Sequence, residues 1–452
     1  MHAASFRGGV HPYDGKNLSK EKPVTDCLPK GELVFPLASH IGAPAKAAVS
    51  VGEKVLAGQI IGEASGFVSA NVISSVSGRV KAVERRTLVT GMISDSIVVE
   101  NDGAYRPVEG LGSSQDVNQM TKEEIRAAIR DAGIVGMGGA GFPAHVKLTP
   151  ENGSAIDYVI VNGAECEPYL TSDYRMMLEE PEKILAGLKV ILRLFEHAKG
   201  VIAVEDNKPE AILRLKEEAK KEERVEVAVL KTKYPQGAER NLIYSVTGRR
   251  LNSRRLPADL GCIVSNVETV AAIGMAVCER TPLMSRIVTV TGDAIARPGN
   301  YRVRIGTSFR ELSEAAGGFL YEPEKLIAGG PMMGNALTTL EVPVTKTSSA
   351  LVALGKDEAA AWKPGACIRC GRCAKVCPMG LVPQKMREAC ERSDLELFKK
   401  LYGMECYECG SCTYACPAKL YLTQNFKQAR RAVLEHWKKT MTQTTGQTGR
   451  KT

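Results

Sequence analysis

Eight of the thirteen cysteines lie in two short groups towards the C-terminal end of the chain. The first group reads Cys367-x2-Cys370-x2-Cys373-x3-Cys377-Pro378, and the same spacing recurs 39 residues later as Cys406-x2-Cys409-x2-Cys412-x3-Cys416-Pro417. Three thiolates within seven residues can wrap around one side of an iron–sulfur cubane, while the fourth cysteine of such a run ligates the other cluster. The spacing therefore predicts two [4Fe–4S] clusters that exchange their fourth ligands.

We assign cluster one to Cys367, Cys370, Cys373 and Cys416, and cluster two to Cys406, Cys409, Cys412 and Cys377. A pair of zinc sites is the alternative, but zinc usually takes two CxxC pairs separated by a longer loop. The doubled run with a proline after each last cysteine is that of two-cluster ferredoxins.

The charges inside the two cysteine loops differ. Cluster one carries Arg369, Arg372 and Lys375, whereas cluster two carries Glu405 and Glu408. Because nearby positive charge favours the reduced, more negative cluster, we expect cluster one to have the higher reduction potential.

Length and cysteine usage indicate the number of domains and the redox compartment. The 452 residues are enough for three or four domains, and the N-terminal residues have no hydrophobic signal core. Clustered cysteines in such a chain indicate metal centres in a reducing compartment; the scattered Cys27, Cys166, Cys262, Cys278 and Cys390 are expected mostly to be small core residues.

The sequence predicts no transmembrane helix and no nucleic-acid role. No stretch approaches 18 uncharged apolar residues, and no basic run is interleaved with aromatic residues. The net charge of +9 suits an anionic membrane surface or an acidic redox partner, and equally a solvated surface.

Hydrophobic patterning divides the rest of the chain. Residues 31–100 read as short strands, and Thr121 with Glu124 predicts a capped helix. Strands and helices then alternate to about residue 285, as in an α/β layered core, and the segment from Ile184 to Phe195 predicts an amphipathic surface helix. Residues 286–345 suggest a strand pair, a helix and a further strand, which is typical of a β-grasp module.

A glycine-rich segment, Gly136-Met137-Gly138-Gly139-Ala140-Gly141, satisfies GxGxxG. It follows a predicted helix and runs into Phe142-Pro143, so the strand–turn–helix context of an ordinary Rossmann site is missing. Bare glycine backbone can still bring N–H groups against a phosphate or a ring edge.

The segment Gly138 to Pro143 followed by Lys147, and then Asn162-Gly163-Ala164-Glu165-Cys166-Glu167-Pro168, resembles the flavin- and NADH-binding subunits of respiratory complex I. The segments Tyr234-Pro235-Gln236-Gly237 and Ser265 to Thr269 are similar to two further loops of that site. The resemblance implies non-covalent FMN with NAD(H) stacked on its ring.

The resemblance also implies residue roles. FMN phosphate and ribityl groups would lie on the glycine loop and Lys147, the flavin would be lined from the other loops, and the nicotinamide nucleotide would face Phe142 and Glu167. The cofactor-binding set is Gly136, Gly138, Gly139, Gly141, Lys147, Asn162, Glu165, Tyr234, Asn266 and Thr269. Ala164 and Ala238 stand where that family usually has acidic residues, which bears on the nucleotide contacts.

Nearly the whole chain resembles the C subunits of Rnf ion-translocating ferredoxin:NAD oxidoreductases, through segments such as Gly8 to Pro12 and Gly329 to Gly334. This implies a peripheral subunit on the cytoplasmic face of a bacterial or archaeal membrane. It would be held there by other Rnf subunits and would receive electrons from ferredoxin indirectly. A microcompartment cobalamin reductase lacks the N-terminal domain, whereas a soluble NADH-linked reductase or a zinc-stabilised interaction module remain alternatives.

The expected fold is a multidomain α/β protein. Its parts are a barrel-sandwich hybrid without a carrier lysine (1–112), an FMN/NADH-binding α/β domain (113–285), a β-grasp or SLBB-like module (286–350), a helical two-[4Fe–4S] ferredoxin-like domain (351–437) and a disordered tail (438–452). Nothing in the sequence distinguishes Na⁺ from H⁺ coupling, the direction of flux or the direct redox partner.

Overall fold

The computed structural model describes residues 3–448, with side chains described as far as residue 437. Short 3-10 helices cover Lys16–Leu18, Val117–Gln119, Gly153–Ala155, Pro257–Leu260 and Gly403–Glu405. Within the described part of the chain, no helix is both long and apolar enough to cross a membrane.

The N-terminal region forms a small barrel-sandwich of two antiparallel sheets. The strands along this part of the chain are β1 (Val24–Cys27), β2 (Glu32–Pro36), β3 (Lys46–Ala47), β4 (Lys54–Val55), β5 (Ile60–Glu63), β6 (Val72–Ile73), β7 (Gly78–Thr87) and β8 (Ile93–Asn101). The sheets run β2-β8-β7-β4 and β3-β5-β6, and β1 belongs to neither of them.

The central domain is a four-stranded parallel sheet covered by helices. Its elements are α1 (Lys122–Asp131), α2 (Ala144–Lys147), β9 (Tyr158–Gly163), α3 (Ser172–Glu179), α4 (Pro181–Leu194), β10 (Lys199–Glu205), α5 (Pro209–Ala219), β11 (Val225–Leu230), α6 (Glu239–Thr247), β12 (Cys262–Asn266) and α7 (Val267–Glu279). The strand order is β11-β10-β9-β12. After β9 the chain adds β10 and β11 in turn on one side of β9, and then crosses back to place β12 on the other side. The capping box of Thr121 and Glu124 starts α1, as the sequence predicts.

Helix α4 is a core helix, so the expectation of a surface helix is wrong. Most of its apolar residues are buried, and it crosses α7 where Gly187 meets Gly274. A Cβ on Gly187 would lie 1.8 Å from the carbonyl oxygen of Val270, so only glycine permits this approach. The side chains of Lys189 and Arg193 occupy the narrow face that remains outside the core.

The third region is a β-grasp module. It contains β13 (Ser285–Thr291), β14 (Gly299–Arg304), α8 (Phe309–Ala315), β15 (Lys325–Ala328), β16 (Asn335–Ala336) and β17 (Ala350–Leu354) in one sheet ordered β1-β14-β13-β17-β15-β16. The sheet therefore extends past the expected limit at residue 350, and it recruits β1 from the expected barrel region by parallel pairing with β14. Sequence patterning shows that a strand exists but not which sheet edge it joins.

Residues 4–19, which we call the strap, also lie outside the barrel. Ala4 bridges to Leu230 at the end of β11, Val10 bridges to Tyr234, and the N–H of Gly9 donates to the carbonyl of Val376 at 2.8 Å. The strap thus runs from the parallel sheet to the cysteine-rich domain.

The cysteine-rich domain is helical. Its helices are α9 (Glu358–Ala361), α10 (Arg372–Val376), α11 (Pro383–Glu391), α12 (Leu395–Lys400), α13 (Ser411–Tyr414) and α14 (Leu422–Thr448). Helix α14 includes residues 438–448, in contrast to the disorder expected there, since extending an anchored helix costs far less than nucleating one. The rest of the expected tail, 449–452, lies outside the described residues.

Candidate flavin site and iron–sulfur centres

The eight motif cysteines surround two cavities in the helical domain. One cavity is lined by Cys377, Cys406, Cys409 and Cys412, and the other by Cys367, Cys370, Cys373 and Cys416. The structure therefore brings together the same two sets of four that the sequence predicts, each with one cysteine from the other motif. Across residues 3–437, no three His, Cys, Asp or Glu side chains are grouped to hold a single metal ion. Four thiols around one cavity are the ligand set of a cubane cluster.

The two cysteine motifs repeat in conformation as well as in spacing. Left-handed backbone occurs at Arg369 and Gly371 in the first motif and at Glu408 and Gly410 in the second. The short helices α10 and α13 begin directly after these glycines. These turns direct successive cysteines into a common cavity, and the strain at non-glycine residues is typical of functional sites.

The cluster-two cavity is the more buried of the two. Cys409 is buried and Cys370 of the cluster-one set is exposed. Burial raises the pKa of the Cys406 and Cys412 thiols to about 12. Both thiols are therefore protonated at neutral pH before ligation, and binding of a cluster must displace their protons.

The acidic residues beside cluster two are paired. Glu405 accepts from Arg240 at 2.9 Å, and Glu408 pairs with Arg430. The charge contrast between the two clusters is therefore smaller than the sequence suggests.

The predicted flavin residues converge at the carboxyl edge of the parallel sheet. Asn162 on β9 and Asn266 on β12 are aligned in register on adjacent strands. This is the point where the strand order reverses, and open α/β sheets bind their ligands in the crevice outside it. The side chain of Asn162 also donates to the carbonyl of Gly237 at 2.9 Å, so the loop after β11 meets the loop after β9.

The glycine loop lies over the N-terminus of α7. The N–H of Gly136 donates to the carbonyl of Phe142 at 2.8 Å, which closes the loop, and the N–H of Met137 donates to the hydroxyl of Thr269 at 2.9 Å. Gly138 packs on Asn266, the N-cap of α7, while Gly139 faces open space. Exposed backbone N–H groups beside the start of a helix suit a phosphate.

Three further predicted residues border this loop. Gly141 has φ of 69° and packs against the backbone of Ser39 and His40 from the barrel. Lys147 donates to the carbonyl of Val264 at 2.8 Å and lies 3.6 Å from Glu239. Phe142 is half-buried.

The loop after β9 contains two enclosed carboxylates. Glu165 accepts from the N–H of Asp173 at 2.7 Å, and Glu167 accepts from the N–H of Met332 at 3.1 Å. Burial raises the pKa of Glu167 to about 7. Its carboxylate is packed against Gly330 of the β-grasp module, so the structure does not present it openly to a nucleotide ribose. The sequence shows a carboxylate but not the loop that covers it.

Tyr234 connects the flavin region to cluster two. Its hydroxyl donates to the carbonyl of Cys409 at 2.7 Å, and its ring packs with Cys166, Met332 and Tyr407. Cys409 lines the cluster-two cavity and not the cluster-one cavity. Cluster two is therefore the one that adjoins the flavin region.

Sequence reasoning missed three buried residues of this site. Asp173 accepts from the amide of Asn266 at 2.7 Å, and burial raises its pKa to about 8. Lys16 and Lys208 are 8% and 2% exposed, and both donate to carbonyls of the loop after β9. No spacing rule singles them out, because their partners are backbone atoms distant in sequence.

The residues present fit the predicted cofactors. Buried oxygens of Glu165, Glu167 and Gln236, on the loops that follow β9 and β11, have no hydrogen-bond partner within the described residues. Such orphaned polar atoms are rare in folded proteins unless a ligand or water completes them. The two cavities supply four thiols each, which is the ligand set of a [4Fe–4S] cluster.

Fold and site together define an iron–sulfur flavoprotein of electron transport. Family models match the RnfC barrel sandwich hybrid domain (residues 4–104), the Nuo51 FMN-binding domain (129–275), the SLBB domain (287–336) and the 4Fe-4S dicluster domain (366–420). The chain belongs to the family of C subunits of ion-translocating ferredoxin:NAD⁺ oxidoreductase complexes.

Three relatives carry this assignment. The C subunit of the proton-translocating ferredoxin:NAD(+) oxidoreductase complex of Clostridium ljungdahlii is 45% identical over 84% of this chain and 83% of its own length. The C subunit of the Na(+)-translocating complex of Acetobacterium woodii is 42% identical over 86% of this chain and 88% of its own. The C subunit of the ion-translocating oxidoreductase complex of Rhodobacter capsulatus is 40% identical over 88% and 77%.

A solved structure shows the same fold at lower identity. A chain of an air-oxidized NAD+-reducing [NiFe]-hydrogenase is 23% identical, with a TM-score of 0.51. The match covers 72% of this chain and 65% of the hydrogenase chain, which is a little under two thirds of that chain's length.

Proposed function

We propose that this chain passes electrons between two [4Fe–4S] clusters, FMN and NAD(H), as part of a complex that couples the transfer to Na⁺ or H⁺ translocation by its partner subunits. The observation that carries this proposal is the contact between Tyr234 and Cys409, which joins the flavin loops to the cluster-two cavity. It supports the order cluster one, cluster two, flavin.

The two cavities support the assignment of the cluster ligands. Cysteines 367, 370, 373 and 416 hold cluster one, and cysteines 406, 409, 412 and 377 hold cluster two. Exchange of the fourth ligand ties both clusters into one folding unit, which keeps their separation constant.

The flavin residues act by binding and orienting. The backbone of Gly138, Gly139 and Gly141 and the ammonium of Lys147 receive the FMN phosphate and ribityl groups. Gly136 shapes this loop instead, because its N–H already donates to the carbonyl of Phe142. Asn162, Glu165, Tyr234, Asn266 and Thr269 border the ring, and Phe142 stacks on the nicotinamide nucleotide. FMN, when bound, exchanges two electrons with a nicotinamide and single electrons with a cluster.

Glu167 takes a different place from the one its chemistry suggests. Its carboxylate lies between the flavin loops and the β-grasp loop that contains Met332, not on an open face. We assign it to the boundary between flavin and cluster two instead of to the ribose of NAD(H).

Cluster one is the point at which electrons enter or leave the chain. Cys370 is exposed, and Ile368 beside it is 69% exposed. The basic residues beside it, Arg369 in the preceding turn and Arg372 and Lys375 on α10, suit an acidic redox subunit, which would in turn receive electrons from ferredoxin. The chain would sit on the cytoplasmic face of the membrane and contact it through partner subunits.

The test is anaerobic purification followed by iron, sulfide and acid-released flavin analysis, with a spectrum before and after NADH. About eight irons and one FMN per chain, bleached by NADH, are expected. The Gly138→Val variant separates the flavin site from the clusters, since a side chain at Gly138 would collide with Asn266. It should lose FMN and NADH bleaching but keep its iron. Zinc without flavin, or iron without FMN in the wild type, would refute the proposal.

A further inference from the structure

Two buried lysines lie under the loop that follows β9. Lys16 stands on the strap and Lys208 is the N-cap residue of α5, so they come from distant parts of the chain. Lysines are almost never this deeply buried unless their charge is paired and hydrogen-bonded.

Both ammonium groups bind backbone carbonyls of this loop, residues 164–170. The Lys16 ammonium donates to the carbonyls of Glu165 and Glu167, each at 3.0 Å, and to that of Leu170. The Lys208 ammonium donates to the carbonyl of Ala164 at 2.7 Å. Carboxylates balance the charges, because Glu165 lies 3.8 Å from Lys16 and Glu205 lies 3.2 Å from Lys208.

The direction of the carbonyls sets the direction of the neighbouring N–H groups. A trans peptide unit is planar, with its C=O and N–H pointing to opposite sides. The carbonyls of Ala164 and Glu165 point to the lysines, so the N–H groups of Glu165 and Cys166 point away from them. Neither N–H donates to another residue within the described part of the chain.

The loop is also strained in a way that these contacts explain. Glu165 and Tyr169 have φ of 48° and 70°, a conformation that non-glycine residues adopt only when their surroundings enforce it. Gly15, directly before Lys16, approaches the ring of Tyr169 so closely that a Cβ would lie 2.5 Å from it. This close contact fixes the position of the strap, and so of Lys16, relative to the loop.

We propose that Lys16 and Lys208 are positioning residues of the flavin site, which hold the carbonyls of residues 164–170 inwards so that the N–H groups of Glu165 and Cys166 are presented to the flavin ring. This inference rests on the proposed function, since it takes FMN to be the ligand at the carboxyl edge of the sheet. The two N–H groups are donors to the electron-rich edge of the ring, and donors of this kind stabilise the reduced flavin more than the oxidised one.

The test measures FMN affinity and the reduction potential of bound FMN in the full chain with its clusters in place. Lys16→Met and Lys208→Met are each expected to weaken FMN binding about tenfold or more and to lower the potential of the flavin that remains bound. Gly15→Ala keeps the ammonium but displaces it, and should act in the same direction.

Lys346→Met is the matched control. Lys346 is also a buried lysine that donates to two carbonyls, those of Asn71 and Gly133, but these lie at the junction of the barrel with the central domain. It should lower the melting temperature and leave the flavin potential at the wild-type value.

Wild-type FMN affinity and potential in folded Lys16→Met and Lys208→Met would overturn the inference. Should Lys16→Met fail to fold, Lys16→Arg replaces it, because arginine keeps the charge but cannot place one nitrogen among three carbonyls. Wild-type values in that variant would equally overturn the inference. Absence of FMN binding in the wild-type chain would refute the proposed function instead, which separates the two failures.

Discussion

The hydroxyl of Tyr234 donates a hydrogen bond of 2.7 Å to the backbone carbonyl of Cys409, a predicted ligand of cluster two. Tyr234 belongs to the loop that follows β11, at the carboxyl edge of the flavin-domain sheet, so one hydrogen bond joins the two redox regions. Both residues are buried, and burial raises the pKa of the phenol well above its usual range. The phenol therefore stays a neutral donor at all physiological pH values.

Replacement of Tyr234 by phenylalanine should disturb cluster two. The carbonyl of Cys409 loses its donor in a buried place, at a cost of about 1–3 kcal/mol in the free energy of unfolding. We expect a shifted cluster-two EPR signal and slower electron transfer between flavin and cluster. Tyr402→Phe is the control, since Tyr402 is 70% exposed. Equal EPR spectra in both variants would show that the contact has no part in tuning the cluster.

The exchange of fourth ligands predicts which cluster each cysteine substitution damages. If each motif bound its own cluster, the opposite cluster would be damaged in the Cys377 and Cys416 variants. Cys377→Ser should damage cluster two and give an EPR spectrum like that of Cys409→Ser, although Cys377 follows the cluster-one motif. Cys416→Ser should instead resemble Cys370→Ser. A Cys377→Ser spectrum that matches Cys370→Ser would mean that each motif binds its own cluster.

Asp173 should make stability depend on pH. Burial raises its pKa from an ordinary 3.8 to about 8, so between these values the folded chain keeps a proton that the unfolded chain has released. The free energy of unfolding therefore falls as pH rises through this window and levels off above it. Denaturation at pH 5 and 9 should show a smaller loss for Asp173→Asn than for wild type. Asp95→Asn, at an exposed position, should behave as wild type.

Gly187→Ala should destabilise the central domain. The added methyl group meets the carbonyl of Val270 at 1.8 Å, which forces α4 and α7 apart. A loss of about 1–3 kcal/mol in the free energy of unfolding is expected, as for overpacked cores. Gly365→Ala is the control, because a Cβ there meets nothing within 4 Å. Equal denaturation midpoints for the two variants would contradict this account of the crossing.

Cluster one should have the higher reduction potential of the two. Its loop carries Arg369, Arg372 and Lys375, whereas cluster two is more buried and its two glutamates are paired with arginines. Arg372→Gln should lower the cluster-one potential alone in an EPR redox titration. A titration in which cluster two is reduced first would contradict the assignment.

The clusters were the most predictable part of the site. Cysteine spacing is local, and the chemistry of a cubane constrains it, so the grouping of Cys377 with Cys406 could be inferred without a fold. The alternation of strands and helices likewise predicted the parallel sheet, and the Thr121 capping box marked the start of α1.

What the sequence could not show are contacts between distant segments. Lys16 and Glu167 owe their places to backbone atoms more than a hundred residues away, and β1 joins a sheet that its own neighbours do not form. Hydrophobic periodicity reports which face of an element is buried, not what buries it, which is why α4 was expected at the surface.

The strap also has a consequence for biosynthesis. Its glycines pack on Tyr234 and on the carbonyl of Cys377, and both of these residues are translated long after residues 4–19 have left the ribosome. The strap therefore cannot reach its native position until both of these later regions have been made. Its docking requires that the sheet edge and the cysteine-rich domain have already come together.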